Sequence, residues 1–228
     1  MKIFFSNLET PPIEKQEKEQ EQEKSKPLTE KQMVIALENL SNNGHFLGEG
    51  NYGRVSTLPD ATNYCCKTNR NKGADENDPV EEIIFLDAAK KAGVSVPTPR
   101  FLGIEERGDK APEIHLVMDT IDGLSIENII ANDLYNKLPP EFNFNSFCDE
   151  SFSEIEKMNE TILHRDIKPG NIIIDKNGKP VIIDFGQAKW KKEVITNENI
   201  TFSGDRSNFI KTKMEFGKYL KSKGYKFQ

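Results

Sequence analysis

The segment HRDIKPGN, residues 164–171, places several charged side chains, a proline and a glycine directly before an apolar run. A second apolar run ends in another acid, Asp184. The turn sequence KNGK between the runs predicts a hairpin of two buried strands. Asn171 begins the first strand and Asp184 ends the second, so we expect both side chains at one end of the hairpin. Polar groups next to buried strands are costly to keep unless they have partners or a function.

The residue types in this segment favour magnesium and phosphate chemistry. Asn171 and Asp184 carry oxygen ligands, which suit Mg²⁺, an ion that takes few protein ligands and leaves room for substrate phosphates. Asp166 lies on the preceding loop, where it can accept a proton from a hydroxyl nucleophile. Lys168 lies next to it and can stabilise charge on a phosphoryl group during transfer. The segment therefore predicts a magnesium–phosphate site.

Composition restricts the class of protein. The 228 residues include 31 basic and 37 acidic side chains, which gives a net charge of −6. An acidic chain is a poor candidate for binding nucleic acid or an anionic membrane surface. No apolar run approaches the roughly 18 residues of a membrane span, and the first residues lack a secretory signal pattern. The cysteines are three in number and two are adjacent, so the sequence favours neither a disulfide framework nor a zinc site. We therefore expect a reducing, cytoplasmic location.

The order of patterns along the chain predicts an α+β protein. Residues 1–26 are predicted to be a disordered polar segment, because residues 14–26 contain no apolar side chain. Residues 27–121 read as a helix followed by a strand-rich half, and residues 122–228 as a mainly helical half that carries the HRDIKPGN segment. The first helix has Thr29 and Gln32 as a capping box, an apolar face and a stop at Gly44, and the face comprises Met33, Leu37 and Leu40.

A second helix is predicted from Pro79, with Asp78 as its cap and Glu81 completing a capping box. Its apolar positions are Val80, Ile83, Ile84 and Leu86. This helix supplies a partner for Lys67, which ends the strand NYCCK and would be costly to bury alone. We prefer Glu82 as that partner, because it shares the inner face with Phe85 and Leu86, and we expect Glu81 to face outward.

The sequence LGEGNYGRV, residues 47–55, contains three closely spaced glycines. Glycines let a backbone bend tightly and approach an anion without side-chain clash. Strands are predicted on both sides, which indicates a hairpin and argues against a dinucleotide-binding loop, since such a loop opens directly into a helix. The pattern alone does not separate a phosphate-covering hairpin from a plain one.

Together these motifs resemble the protein kinase family, and specifically its serine/threonine branch, over about residues 45–190. The resemblance implies a two-lobed fold with a β-rich N-terminal lobe, a shortened, mainly helical C-terminal lobe, and the cofactors ATP and Mg²⁺. It also implies roles for particular residues. The catalytic set is Asp166, Lys168, Lys67 and Glu82. The nucleotide-binding set is Gly48, Glu49, Gly50, Gly53, Val55, Lys67, Met118, Asp119 and Ile121. The metal ligands are Asn171 and Asp184.

The sequence also departs from the usual pattern of the family. Only about forty residues follow Gly186, and none of them reads APE. In this respect the chain is similar to minimal kinases and to compact kinase-like effectors of pathogenic bacteria. Asp205 is interpreted either as a brace for the catalytic loop or as a simple helix cap. The resemblance implies a protein substrate and allows a regulatory protein partner. A small-molecule kinase and a weakly active, ATP-binding interaction module remain as alternatives.

Overall fold

The computed structural model describes residues 3–7, 29–40, 44–50, 53–59, 61–69, 79–195 and 204–227. The chain divides into two compact units. Unit 1 comprises Met1–Gly73 and Pro99–Thr120, and unit 2 comprises Ala74–Thr98 and Ile121–Gln228. The sequence-based division assigned residues 74–98 to the first half, whereas the structure groups them with unit 2.

Unit 1 contains an antiparallel six-stranded sheet in the order β1-β5-β6-β4-β3-β2. The strands are β1 (Ile3–Asn7), β2 (Phe46–Gly50), β3 (Gly53–Leu58), β4 (Ala61–Asn69), β5 (Pro99–Arg107) and β6 (Lys110–Asp119).

Strand β1 lies inside the segment 1–26 that the sequence predicted to be disordered, so that prediction is wrong for residues 3–7. These residues pair antiparallel with β5, and Phe4 is opposite Ile104. The prediction relied on the polar residues 14–26, although the preceding IFF run has high strand propensity and β5 would otherwise be an edge strand. Residues 8–28 lie outside the described residues.

Helix α1 (Glu30–Glu38) begins at the predicted capping box. The backbone N–H of Thr29 donates to Gln32 Oε1 at 3.0 Å, and the Gln32 N–H donates to Thr29 Oγ1 at 3.4 Å. The first helix ends at Glu38 and is capped by Asn39, whose N–H donates to carbonyls of the last turn. Leu40 is again helical and residues 41–43 lie outside the described residues, so the stop at Gly44 stays a prediction. The buried face of the helix packs on the sheet, and this core comprises Met33, Ala36, Leu37, Leu58, Ala61, Tyr64, Cys66, Phe101 and Val117.

Unit 2 combines helices with two small antiparallel sheets, ordered β10-β9-β7 and β11-β8. A strand-rich region followed by a mainly helical one is the order that the sequence predicted. The elements are α2 (Pro79–Lys91), β7 (Gly123–Ser125), α3 (Ile126–Ala131), α4 (Phe144–Met158), β8 (Ile162–Leu163), β9 (Ile172–Asp175), β10 (Pro180–Ile182), β11 (Lys189–Trp190), α5 (Lys191–Ile195) and α6 (Gly204–Ser222).

Helix α2 begins at Pro79 as predicted, while its proposed cap Asp78 lies outside the described residues. The predicted apolar face is partly wrong, since Val80 is 43% and Ile84 48% exposed. Each residue of an α-helix advances by about 100°. A face centred on buried Glu82 therefore also buries Phe85, Leu86 and Ala89, and places Val80 and Ile84 on the opposite side.

Aromatic side chains join α4 to α6, the two helices that flank the HRDIKPGN segment in sequence. Phe216 of α6 contacts the rings of Phe142, Phe144 and Phe147 at centroid distances of 5.9–6.4 Å. Tyr225 closes this cluster, because its hydroxyl accepts from the Phe144 N–H at 3.0 Å and donates to the Phe142 carbonyl at 3.1 Å. Offset and tilted aromatic pairs of this kind fix the relative position of two helices.

Within the described part of the chain, no helix is long and apolar enough to cross a membrane. Cys65, Cys66 and Cys148 all lie within it and are buried free thiols.

Candidate active site

The β9–β10 hairpin has the register that the sequence predicted. Ile182 is opposite Ile172, and beyond this pair the Ile183 N–H donates to the Asn171 carbonyl at 3.0 Å. Asp184 is the next residue along the chain. The backbone of the hairpin therefore brings Asn171 and Asp184 to the same end, one and two residues, respectively, beyond the last strand pair.

Asn171 is buried and its side-chain orientation is fixed. The amide nitrogen donates to the Asp166 carbonyl oxygen at 2.8 Å and to Asp166 Oδ2 at 2.9 Å. Both amide hydrogens thus point to Asp166, and the amide oxygen lies on the other side of the group. This oxygen and a carboxylate from Asp184 form the kind of hard-oxygen donor set that suits Mg²⁺.

The carboxylate of Asp166 lies at the centre of the loop. Its Oδ2 accepts from the Asn171 amide and pairs with Lys168 Nζ at 2.6 Å. Asp166 is largely shielded, whereas about half of the Lys168 side chain is exposed. The structure therefore brings three predicted site residues together around one carboxylate.

His164 connects this loop to the strand end before Asp184. The imidazole is buried, and its Nε2 lies 3.0 Å from the Ile183 carbonyl oxygen. A carbonyl oxygen only accepts, so Nε2 carries the proton. Nδ1 then accepts from the Asp166 N–H at 3.3 Å, which defines a neutral tautomer. The ring also packs at 4.8 Å against the edge of Phe185.

Asp205, at the start of α6, holds the backbone of the loop. Its two carboxylate oxygens accept from the His164 and Arg165 N–H groups, both at 2.8 Å, and the residue is only 4% exposed. The interpretation of Asp205 as a loop brace is therefore confirmed, and a role as helix cap alone is excluded. The Asn159 amide nitrogen, when oriented toward its acceptors, also donates to Asp205 at 3.0 Å.

The two ends of the site have an unusual backbone conformation. Arg165 has a φ angle of 68° and Asp184 one of 65°, both in the left-handed region that non-glycine residues seldom adopt. Such residues persist where the surrounding contacts hold them, and they concentrate at functional sites. The bond from the Arg165 N–H to Asp205 is one such contact.

In unit 1 the glycine-rich residues form a hairpin, as predicted. Gly48 is opposite Val55, Glu49 opposite Arg54 and Gly50 opposite Gly53, while residues 51–52 lie outside the described residues. A Cβ atom added to Gly48 would meet nothing within 4 Å. The protein's own packing therefore does not require glycine at this position, and space is left above the backbone, as the predicted approach to a phosphate would require.

Lys67 lies in the central strand β4, opposite Val55 on one side and Leu116 on the other. It is 5% exposed and β4 has a neighbouring strand on each side, so Lys67 is not a surface lysine on an edge strand. Glu82 on α2 is 2% exposed, whereas Glu81 is exposed, as the predicted helix register requires. Lys67 and Glu82 belong to different units, and their pairing stays a prediction.

The remaining predicted nucleotide contacts are Met118 and Asp119 at the end of β6 in unit 1, and Ile121 in unit 2. Met118 is buried opposite Cys65, and Ile121 is the first residue of the second segment of unit 2. The Asp119 carboxylate accepts two bonds of 2.7 Å from Arg100, which raise the pKa of that guanidinium. Sequence reasoning did not foresee this ion pair. The contacts of these residues with a nucleotide stay predictions.

Sequence reasoning also missed Glu154 of α4, which is coupled to β10 through Ser95. Glu154 Oε2 accepts from the Ser95 N–H at 3.0 Å, and the Ser95 carbonyl accepts from the Ile182 N–H at 2.9 Å. Burial raises the pKa of Glu154 to about 7. No local motif marks this link, because it joins residues that are far apart in sequence.

Comparison with known proteins agrees with this geometry. The family model described as protein kinase domain matches residues 41–206, which is more than half of the chain. A probable serine/threonine-protein kinase of Dictyostelium discoideum is 26% identical over 170 residues, covering 70% of this chain and 34% of the relative.

A probable serine/threonine-protein kinase PknB of Lactococcus lactis is 27% identical over 137 residues, covering 57% of this chain and 20% of the relative. A putative serine/threonine-protein kinase/receptor of Acanthamoeba polyphaga mimivirus is 26% identical over 161 residues, covering 69% of this chain and 10% of the relative. The chain thus spans about a third or less of the length of these relatives. Since the family model covers the glycine-rich hairpin, the loop at Asp166 and the brace at Asp205, this chain belongs to the protein kinase family.

Proposed function

We propose that this chain is a serine/threonine protein kinase that transfers the γ-phosphate of ATP to a protein hydroxyl group. The observation that carries the proposal is the fixed position of the Asp166 carboxylate. Asn171 and Lys168 hold its oxygen, and Asp205 holds the backbone of the two preceding residues. A carboxylate held in this way is pre-organised to orient a hydroxyl nucleophile.

The residues present fit the cofactors that the family implies. The Asn171 amide oxygen and the Asp184 carboxylate would hold Mg²⁺, and the β2–β3 hairpin with its open position at Gly48 would cover the phosphates. Magnesium–ATP supplies a γ-phosphorus open to in-line attack and neutralises charge on its oxygens. Lys67, as a buried cation in β4, would orient the phosphates.

Side chains of this protein then account for the proton that leaves the substrate hydroxyl and for the negative charge at the site of transfer. Asp166 would accept a hydrogen bond from the substrate hydroxyl at its carboxylate and take the proton as the hydroxyl oxygen bonds to the γ-phosphorus. The bond from that phosphorus to the β-phosphate oxygen breaks at the same time, and ADP is the leaving group. Lys168 compensates negative charge at the same place, since its ammonium group already lies 2.6 Å from Asp166. His164 keeps the Asp166 backbone in place through its Nδ1 acceptor.

Two observations support a protein hydroxyl as acceptor. Lys168 follows the proposed base by two residues, a position that the resemblance associates with serine/threonine specificity. The relatives described above are also named serine/threonine kinases, although their identity to this chain is below 30%. The alternative of a small-molecule kinase predicts transfer to a hydroxyl of a small molecule. The transfer assay described next distinguishes the two functions.

The test is a radiolabel transfer assay with Mg²⁺ and ATP, with a protein mixture and a set of hydroxyl-bearing small molecules offered as separate acceptors. We expect label on phosphoserine and phosphothreonine, and its loss in Asp184→Ala. Asp149→Ala is the matched control, because Asp149 is an exposed acid on α4. Label confined to a small molecule, or full transfer by Asp184→Ala, would contradict the proposal.

A further inference from the structure

Within the described part of the chain, three potential metal ligands gather on the β5–β6 hairpin, and none of them is a predicted site residue. They are Glu105, Glu113 and His115, and one ligand atom from each lies within 4.8 Å of the others. Glu105 is directly opposite Glu113 in the ladder. His115 follows Glu113 by two residues, so strand alternation puts it on the same face.

The spacing of the ligand atoms is close to that of a tetrahedral metal site. His115 Nε2 lies 3.4 Å from Glu105 Oε2 and 4.0 Å from Glu113 Oε2. Zinc bonds of about 2.0–2.1 Å in a tetrahedron place neighbouring ligand atoms roughly 3.3 Å apart. Small side-chain rotations of the two glutamates are therefore sufficient to reach the ligand geometry.

The histidine is positioned as a metal ligand usually is. Its side chain is 8% exposed, and its other ring nitrogen, Nδ1, lies 3.1 Å from Thr68 Oγ1 on the adjacent strand β4. If Nδ1–H donates to that hydroxyl, the Nε2 lone pair faces the glutamates, which is the arrangement that orients a ligating imidazole.

A neighbouring cation occupies the cluster in this structure. The Arg107 guanidinium contacts Glu113 and lies 3.6 Å from Glu105. Two glutamates directly opposite each other in a ladder repel, and a positive charge between them relieves this repulsion. Arg107 is 41% exposed and lies near the end of β5, and it is therefore able to swing away when another cation supplies that charge.

We propose that Glu105, Glu113 and His115 form a Zn²⁺-binding site in unit 1, with Arg107 as the competing cation and water as the fourth ligand. One imidazole and two carboxylates favour zinc over Mg²⁺, which prefers oxygen ligands alone. The Cys66 sulfur lies 4.0 Å from His115 Nδ1, the ring nitrogen that does not face the glutamates, and is therefore not a ligand of this site. This site does not depend on the proposed phosphotransfer.

The experiment is calorimetric titration of the chelator-treated full chain with Zn²⁺ in the absence of nucleotide, with Co²⁺ absorption as a second readout. We expect one equivalent to bind. Glu113→Gln and His115→Asn should each weaken binding at least a hundredfold, and Thr68→Val, which removes a partner of His115, about tenfold. Arg107→Gln should tighten binding, because it removes the competitor.

Two control variants distinguish zinc binding at this cluster from zinc binding elsewhere in the protein. Glu106→Gln makes the same charge change at an exposed residue of β5 outside the cluster, and Asp184→Asn removes the proposed catalytic metal ligand. Zinc binding should persist in both. If His115→Asn does not fold, the zinc affinities of Glu113→Gln and Glu105→Gln test the proposed site instead. Binding that survives Glu113→Gln, binding lost in Asp184→Asn, or no binding by the wild type and Arg107→Gln would overturn the proposal.

Discussion

Two polar clusters of this chain differ in what their side chains bond to. In the catalytic cluster, formed by residues 164–171 with Asp205, carboxylate and amide groups bond mainly to backbone atoms of an irregular loop. In the hairpin cluster of Glu105, Arg107, Glu113 and His115, side chains bond to one another on two paired strands. The first cluster determines the path of the chain, whereas the ladder already fixes the backbone of the second.

This difference gives different expectations for mutation. Removing an acceptor from the catalytic cluster leaves buried N–H groups without partners, at roughly 1–3 kcal/mol for each. Removing a member of the hairpin cluster changes a partly exposed ion pair, which contributes roughly 0–1 kcal/mol. Four substitutions test this contrast, from the largest expected effect to the smallest.

The largest effect is expected for Asp205→Ala. It removes the acceptor of two backbone N–H groups and of the Asn159 amide, so the free energy of unfolding should fall by about 2–4 kcal/mol. The transfer rate should fall at least a hundredfold, since the loop that carries Asp166 loses its brace. Denaturant titration and initial rates measure the two effects. A stability loss below about 0.5 kcal/mol would mean that the brace is dispensable.

Glu82 provides a further case for this comparison, because it is a buried acid on a regular helix. Glu82→Gln should reduce kcat about a hundredfold if the carboxylate orients Lys67, and Glu81→Gln should change it less than twofold, because Glu81 is exposed. The two variants carry the same charge change on neighbouring positions. Steady-state kinetics compares them, and a larger loss in Glu81→Gln would show that the predicted partner of Lys67 is the wrong residue.

Arg107→Gln tests the hairpin cluster. In metal-free buffer it leaves Glu105 opposite Glu113 without the guanidinium, so we expect destabilisation of less than about 1 kcal/mol, and less at high salt. Thermal unfolding at two salt concentrations measures this effect. A loss comparable to that of Asp205→Ala would contradict the distinction between the two clusters.

The smallest effect is expected for the pH dependence that Glu154 contributes. Its pKa is raised to about 7 in the folded chain, above the unfolded value near 4.5, so the folded state binds more protons between these values. This contribution to stability is complete below about pH 4.5 and is lost as the pH rises toward 7. Glu154→Gln should flatten the slope in that window, as measured by urea titration at several pH values. An unchanged slope would mean that Glu154 does not titrate there.

The same contrast explains what the sequence could reveal. Asp166, Lys168, Asn171 and Asp184 lie within one short stretch, and the intervening turn sequence indicates how the strands fold back, so their meeting was predictable. The capping box at Thr29 was predictable for the same reason, because its partners are three residues apart. Short sequence patterns therefore predict contacts between residues that are close together in the sequence.

Other features depend on contacts that no short stretch encodes. The bond between Glu154 and Ser95 joins residues 59 positions apart, and the position of His115 beside Glu105 depends on strand register. Strand β1 was missed because its partner β5 lies about a hundred residues away. The exposed positions Val80 and Ile84 were misjudged because the burial of the acid Glu82 rotates the inner face of α2.

The most direct test of the central claim is single-turnover phosphate transfer by Asp166→Asn. The asparagine retains a side-chain oxygen near Lys168 and Asn171, so the loop should keep its shape, but the group no longer accepts a proton. We expect the transfer rate to fall at least a hundredfold. The ATP affinity should stay within about twofold of wild type and the melting temperature within about 2 °C. The control variant Asp149→Asn should transfer phosphate at the wild-type rate. Wild-type transfer rates in Asp166→Asn would contradict the assignment of Asp166 as the catalytic base.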